Sequence, residues 1–258
     1  MIKKIILLSG DPNSINSELI FKSWKKINNT LKKKIYLISN YNLINKQFRK
    51  LNYKIKTIKV KSIDDKIKTN KLKILNIDLN SKKTFDISKK LASKFIKESL
   101  DLAHELASTK KECGIINCSI DKKLLNKKNI GVTEYLSLKC GIKDRSETML
   151  IYNKELSVCP ITTHLPLKSV VKKISKKTIK DKIYLIDKFY KKKFNIRPTI
   201  GVLGLNPHCE SIDKFNEDEK IIKPVVTELS KKKIKISGPY SADTIFLKKN
   251  RAKFNYKF

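Results

Sequence analysis

Short apolar runs rich in β-branched residues alternate along this chain with longer segments that have a helical hydrophobic period. Runs of four to eight such residues are typical of buried strands, and the longer segments are typical of helices that connect one strand to the next. The alternation predicts an α/β fold with a largely parallel sheet. The predicted strands are residues 4–8, 34–39, 54–60, 114–118, 149–153, 156–162, 199–203 and 233–236.

Two of the helical segments have a clear apolar face. Residues 87–108 repeat apolar side chains at intervals of three, four or seven, and residues 168–192 combine an apolar face with outward lysines. The stretch 61–83 is polar and weakly periodic, which predicts a loop or surface decoration rather than a strand.

The chain has 258 residues, which suits one large domain or two modest ones. We predict two domains, residues 1–125 and 126–258, with the change in the lysine-rich stretch near residues 121–129. The apolar runs are shorter than the roughly 20 residues that cross a bilayer, and the N-terminal run is typical of a first strand. Five cysteines without a CxxC pair fit a reducing compartment, so we predict a cytoplasmic protein with no membrane contact.

The formal net charge of +35 raises the question of nucleic-acid binding. Only four of the 59 basic residues are arginine, the side chain that base and phosphate recognition favours, and the lysines are spread over the whole chain. We therefore predict no nucleic-acid partner and assign the lysines to solvent-facing positions. The charge still favours small anionic ligands.

Two histidines follow strands that we expect to lie in one sheet, at the edge where open α/β sheets place their functional sites. His164 lies in ITTHLPL after the strand 156–162, and His208 lies in GLNPHC after the strand 199–203. Neutral imidazole is a common ligand of divalent cations, so the pair predicts a shared metal site. Two ligands do not complete such a site, because catalytic zinc usually takes three from the protein.

Further polar positions follow strands or begin helices. A Gly-Asp-Pro turn follows the first strand, and Ser14 or Asn16 is expected to cap the next helix. Thr133 and Asp243 are each expected at a helix start, where a capping role is the simpler interpretation and contact with a ligand is the alternative. His104 lies inside a predicted helix and is expected to be structural or exposed.

Five motifs occur in one order along the chain, and the last three are long and specific. They are Gly10-Asp11-Pro12, Gly131-Val132-Thr133-Glu134, Thr162 to Leu167, Gly204 to His208 and Gly238 to Phe246. Together they resemble the 4-hydroxythreonine-4-phosphate dehydrogenases, the NAD-dependent enzymes of pyridoxal 5'-phosphate biosynthesis. The resemblance spans essentially the whole chain, and residues 61–83 contribute least to it.

The resemblance implies two α/β/α domains that flank a cleft, as in isocitrate and isopropylmalate dehydrogenases. It implies a homodimer that uses NAD to oxidise and decarboxylate 4-phosphohydroxy-L-threonine, with 3-amino-2-oxopropyl phosphate as the product. It also implies that His164 and His208 bind a divalent metal (zinc, magnesium or cobalt) and that Thr133 and Asp243 contact the substrate. We assign no catalytic residue and no NAD-binding residue from it.

Two departures from the family pattern keep other functions open. Val132 stands where the family has a substrate-contacting histidine, and the sequence ends before the family segment that supplies the third metal ligand and the phosphate contacts. The chain is therefore expected to be either part of a longer protein or a shortened gene product. The alternatives are a dehydrogenase of a phosphorylated threonate or erythronate and a non-catalytic remnant that binds ligand weakly.

Overall fold

Strands and helices alternate through the computed structural model of the chain, as the hydrophobic pattern predicts, and the α/β class is confirmed. The chain divides into two compact units, Met1–Gly141 and Ile142–Phe258. The domain boundary expected at residues 125 and 126 stays a prediction. The structure describes residues 3–65, 67, 69–110, 113–125, 131–142, 147–153, 156–163, 165–210 and 215–254.

The described part of the first unit is built on a parallel sheet with the strand order β3-β4-β2-β1-β5. Its strands are β1 (Lys4–Leu8), β2 (Ile35–Ser39), β3 (Thr57–Val60), β4 (Leu72–Asn76) and β5 (Cys113–Asn117). Its helices are α1 (Asn16–Lys26), α2 (Asn29–Lys32), α3 (Tyr41–Lys50), α4 (Lys89–Thr109) and α5 (Val132–Lys139). The predictions for β1, β2, β5 and α4 are confirmed to within two residues at each end.

Helices cover both faces of this sheet. Leu37 and Ile74 belong to a buried cluster with residues of α1 and α3, whereas Ile38 and Leu75 belong to a second cluster with residues of α4. Neighbouring residues of a strand point to opposite faces, so a strand that is covered on both sides is apolar along its length. This is why the central strands β1 and β2 are almost continuously apolar in the sequence.

The prediction of a loop over residues 61–83 is wrong, because β4 lies inside this stretch and pairs with both β2 and β3. Lys73 interrupts the apolar run and makes the strand look polar in the sequence. In the structure this lysine is 1% exposed. Its ammonium nitrogen lies 4.1 Å from the centre of the Tyr36 ring and donates a 2.5 Å hydrogen bond to the carbonyl oxygen of Lys33.

Replacing Lys73 with methionine should change how stability depends on pH. Burial, and secondarily the charge of Lys4, lowers the pKa of Lys73 below its ordinary value of 10.5. The unfolded state therefore binds the Lys73 proton more tightly than the folded state does. Because the folded state loses this proton first as pH rises toward 10.5, the free energy of unfolding increases over that range. Relative to Lys73→Met, the wild type should therefore gain stability between pH 7 and pH 10 in urea unfolding.

The matched control for this experiment is Lys71→Met, which removes one positive charge at an exposed position two residues away. If both variants show the same pH dependence relative to the wild type, the buried position of Lys73 has no special effect on stability.

The second unit contains two short sheets among its described residues. The strands β6 (Ile151–Tyr152) and β7 (Ser157–Val158) pair antiparallel, and β8 (Ile200–Leu203) and β9 (Ile236–Tyr240) pair parallel. Its helices are α6 (Leu167–Val170), α7 (Lys176–Phe194), α8 (Lys223–Lys231) and α9 (Lys248–Arg251), and a π-helical segment at Asp218–Ile222 leads into α8. Isoleucines of α7 and apolar side chains of α8 pack with Ile200 and Ile236 to form the core of this unit.

Three sequence predictions for this unit need correction. The long helix expected at residues 168–192 begins at Lys176, because the Ser175 hydroxyl accepts a 3.1 Å hydrogen bond from the backbone N–H of Thr178 and caps α7 there. The strand expected at 156–162 ends at Val158, and the strand expected at 233–236 begins at Ile236.

Within the part of the chain that the structure describes, no helix has both the length and the apolar character needed to span a membrane.

Candidate functional site

The loop that follows β8 carries His208 on a tight turn. His208 and Cys209 have φ angles of 56° and 64°, in the left-handed region that residues other than glycine rarely adopt. Such a conformation persists only where the surrounding structure holds it in place. The His208 imidazole is exposed beyond the carboxyl end of β8, the end at which the sequence predicts it.

Asp218 is hydrogen-bonded to the backbone of this loop. Its carboxylate is fully buried and accepts hydrogen bonds from the backbone N–H of Leu205 at 2.7 Å and from the backbone N–H of Asn206 at 3.0 Å. The side-chain amide of Asn206 donates a third hydrogen bond to it, also at 3.0 Å. A buried carboxylate that accepts several N–H groups is well solvated by the protein, so Asp218 fixes the backbone two residues before His208.

The side chain of Cys209, the residue after His208, lies near Gly204 together with this buried carboxylate. A β-carbon added to Gly204 would lie 2.6 Å from the Cys209 sulfur and 3.0 Å from Asp218 Oδ1, so the turn closes tightly on the glycine. Burial, followed by the charge of Asp218, raises the pKa of the Cys209 thiol. The thiol is therefore protonated at neutral pH and acts in packing.

Asp243 comes from the segment after β9 and lies beside His208. Asp243 Oδ2 is 3.7 Å from His208 Nδ1, and the Ser241 hydroxyl donates a hydrogen bond to Asp243 Oδ1. The hydrogen bond from Ser241, aided by the charge of His208, lowers the pKa of Asp243. The expectation that Asp243 stands at a helix start is wrong, because turns occupy residues 242–246 and α9 begins at Lys248.

The other predicted metal ligand, His164, lies outside the described residues. Its neighbours Thr162 and Thr163 follow β7, and Pro166 precedes the first residue of α6. The expectation that the two histidine loops follow strands of one sheet is wrong for the described residues, since β7 pairs with β6 and β8 pairs with β9.

In the first unit, the Gly-Asp-Pro turn is tied to the loop after β5. The side-chain amide of Asn16 donates to the carbonyl oxygen of Ser119 at 2.8 Å, and its oxygen accepts from the Ser119 hydroxyl at 2.8 Å. Neither Ser14 nor Asn16 caps α1, whose N-cap residue is Ile15 and has no side-chain cap bond. Asn16 instead joins the carboxyl ends of two neighbouring strands.

Thr133 is the second residue of α5 and is exposed. The helix start is confirmed, but the cap position is Gly131, which offers no side chain to the helix. Val132 is half-buried and packs against the core cluster of the first unit. The hydroxyl of Thr133 is therefore available to a ligand, and its contact with substrate stays a prediction.

The described residues by themselves do not form a complete metal site. They contain no group of three or more histidine, cysteine, aspartate or glutamate side chains placed to hold one ion. They do place the Asp243 carboxylate 3.7 Å from Nδ1 of the exposed His208 imidazole, a distance too long for a hydrogen bond.

Comparison with known proteins decides the family. The family model for "Pyridoxal phosphate biosynthetic protein PdxA" matches residues 15–257. The chain belongs to the PdxA family. A relative from Sulfurihydrogenibium sp. (strain YO3AOP1), named 4-hydroxythreonine-4-phosphate dehydrogenase, is 36% identical over 95% of this chain and 76% of its own length.

Solved structures named for the same dehydrogenase share the PdxA fold with this chain. One from Burkholderia phymatum has a TM-score of 0.83 at 23% sequence identity, and the alignment covers 100% of this chain and 81% of the Burkholderia chain. Another, from Klebsiella pneumoniae, has a TM-score of 0.82 at 20% sequence identity, and the alignment covers 99% of this chain and 80% of the Klebsiella chain. The PdxA family places the chain among the oxidoreductases of pyridoxal phosphate biosynthesis.

The sequence analysis did not identify Asp218 and Asn206 as residues whose hydrogen bonds fix the loop after β8. The signal for Asp218 is weak but present, because it stands in the first turn of a helical segment, where acidic residues are common. Its hydrogen bonds with Leu205 and Asn206 join positions twelve and thirteen residues apart, which no local pattern reveals.

Proposed function

We propose that the protein uses NAD to oxidise and decarboxylate 4-phosphohydroxy-L-threonine, giving 3-amino-2-oxopropyl phosphate for pyridoxal 5'-phosphate biosynthesis. The observation that supports this most strongly is the similarity to a relative named 4-hydroxythreonine-4-phosphate dehydrogenase over 95% of the chain. The GLNPH loop, held rigidly at the end of β8, supplies the site where the family motif would act.

His164 and His208 are proposed to hold a divalent metal, with zinc, magnesium or cobalt as the candidates. A bound divalent cation supplies Lewis acidity, which stabilises negative charge on a substrate oxygen. Asp243 Oδ2 lies 3.7 Å from His208 Nδ1, so the carboxylate adds negative charge beside the proposed ligand. The hydrogen bonds of Asp218 keep the loop in one conformation, so His208 is held in place before any ligand arrives.

Thr133 and Asp243 are proposed to contact the substrate. The Thr133 hydroxyl is exposed at the start of α5, where backbone N–H groups also attract anions. Asp243, whose pKa lies below the ordinary value of 3.8, is ionised at neutral pH as other exposed aspartates are, so its carboxylate accepts hydrogen bonds from hydroxyl or ammonium groups. We also propose that the protein is a cytoplasmic homodimer with no nucleic-acid partner.

A second candidate function is oxidation of a phosphorylated threonate or erythronate. The observation behind it is Val132, which is half-buried against the apolar core of the first unit and offers no hydrogen bond to a substrate. A changed substrate is a natural consequence of losing one polar contact. Measuring NADH formation with 4-phosphohydroxy-L-threonine and with the two sugar acids separates these functions, and product from the sugar acids alone would contradict our first choice.

Replacing His208 with alanine should lower NADH formation by about a hundredfold or more, because metal-ion stabilisation contributes several kcal/mol to such reactions. Isothermal titration calorimetry should show a parallel loss of metal affinity. The control is His104→Ala, since His104 lies within α4 and its Nε2 is 3.3 Å from the Ser108 hydroxyl. Unchanged metal affinity in His208→Ala would remove His208 from the metal site. If the wild type shows no metal binding and no turnover of any of these substrates, the non-catalytic alternative is correct.

A further inference from the structure

The second unit contains a cavity of about 340 Å³ between α7 and β8. This volume lies within the range of roughly 300–1,000 Å³ that is common for small-molecule pockets. Residues 158–162, Gly204 and Leu205 form part of its wall, so the cavity adjoins both histidine-bearing segments.

The walls of the cavity are mainly aliphatic. Ile179, Ile183 and Ile186 line it from α7, and Ile200 lines it from β8. All four side chains are at least nine-tenths buried, so the wall belongs to the packed interior of the unit rather than to a loose surface. A wall of this kind favours hydrocarbon and excludes strongly polar ligands, which would lose their hydration without replacement.

One cation, one thiol and the threonine Thr162 interrupt the aliphatic lining. Lys182 lines the cavity from α7, next to Ile183 in the sequence, and Cys159 lines it from the segment after β7. Burial raises the pKa of the Cys159 thiol, while the charge of Lys182 acts in the opposite direction. The Lys182 ammonium donates to the carbonyl oxygen of Glu147 at 3.1 Å, and this uses one of its three N–H donors.

We infer that this cavity binds a free amphipathic carboxylate, with its hydrocarbon chain among the isoleucines and its carboxylate on the Lys182 ammonium. A few convergent polar groups in an otherwise apolar pocket are the usual arrangement for such ligands. The cation selects an anion over a neutral chain. NAD and the phosphorylated substrate are too polar for this lining, so the inference does not depend on the proposed function.

The test is calorimetric titration of the 258-residue chain with octanoate, octanol and acetate. Octanoate should bind at one site and at least tenfold more tightly than the other two, because octanol lacks the charge and acetate lacks the chain. Lys182→Met should weaken octanoate binding about tenfold, the effect of one charged hydrogen bond, and leave octanol binding unchanged. The matched control is Lys188→Met, which removes an exposed lysine from the same helix.

A second variant tests the position of the hydrocarbon chain. Ile183→Phe fills the cavity with a larger side chain and should abolish octanoate binding, while circular dichroism confirms that the variant is folded. The inference is overturned if octanoate does not bind, if acetate binds as tightly, or if Lys188→Met weakens octanoate binding as much as Lys182→Met does. The last two outcomes would mean that the net charge of +35 attracts carboxylates without a site.

Discussion

Replacing Asp218 with alanine should lower the free energy of unfolding of the second unit by about 2–4 kcal/mol. The substitution removes the acceptor of two backbone N–H groups, those of Leu205 and Asn206, and each unpaired donor costs about 1–3 kcal/mol where water cannot replace the carboxylate. Urea unfolding followed by circular dichroism measures the loss. Amide hydrogen exchange at Leu205 and Asn206 should accelerate more than exchange in the first unit.

Two further variants show whether the hydrogen bonds or the negative charge are responsible. Asp218→Asn keeps one acceptor oxygen and should lose less stability than Asp218→Ala. Glu219→Ala removes an exposed carboxylate whose partner is Lys223, and such surface pairs contribute little. An equal loss for Asp218→Ala and Glu219→Ala would contradict the role of Asp218 in holding the loop. If His208 is a metal ligand as proposed, the alanine variant should also bind metal more weakly.

Replacing Gly238 with alanine should lower the free energy of unfolding by about 3–5 kcal/mol, through backbone strain and steric overlap together. Gly238 lies in β9 with a φ angle of 131°, a conformation that L-amino acids with side chains rarely adopt. An added β-carbon would lie 2.4 Å from the carbonyl oxygen of Val202 in β8. Neither strand can move away without breaking the pairing between β8 and β9, so the overlap is costly.

Gly141→Ala is the matched control for Gly238→Ala. Gly141 also has a positive φ angle, of 69°, but an added β-carbon there meets no atom within 4 Å. Its substitution should therefore cost only the backbone strain, about 1–2 kcal/mol. Urea unfolding of both variants separates strain from overlap. Similar losses in the two variants would show that β9 does not approach β8 as closely as the structure indicates.

The elements that the sequence predicted well share one property, which is that their own residues carry the signal. KIILL forms β1 and pairs with neighbours on both sides, and the apolar face of residues 87–108 forms α4 behind a Ser88 cap. Hydrophobic period and capping are local, so they survive without knowledge of the partner. The order of the five motifs between Gly10 and Phe246 likewise indicated the family before any geometry was known.

The elements that it predicted poorly depend on distant partners. The strand β4 looked like a loop because Lys73 is polar, and only the Tyr36 ring and the Lys33 carbonyl make its burial acceptable. Asp243 looked like a helix cap, but it faces His208 instead. In each case the partner is more than thirty residues away, so no window of sequence contains both groups.

The sequence by itself determined the α/β class, the strands β1, β2 and β5 of the first unit, and membership of the PdxA family. Only the tertiary structure decided which polar groups meet. It placed Asp218 under the loop of His208, Asp243 beside the imidazole, and Lys182 in the wall of an aliphatic cavity. The physical reason is that hydrophobic period acts between neighbours in the chain, whereas buried hydrogen bonds and charges are satisfied by whichever distant groups the fold brings within reach.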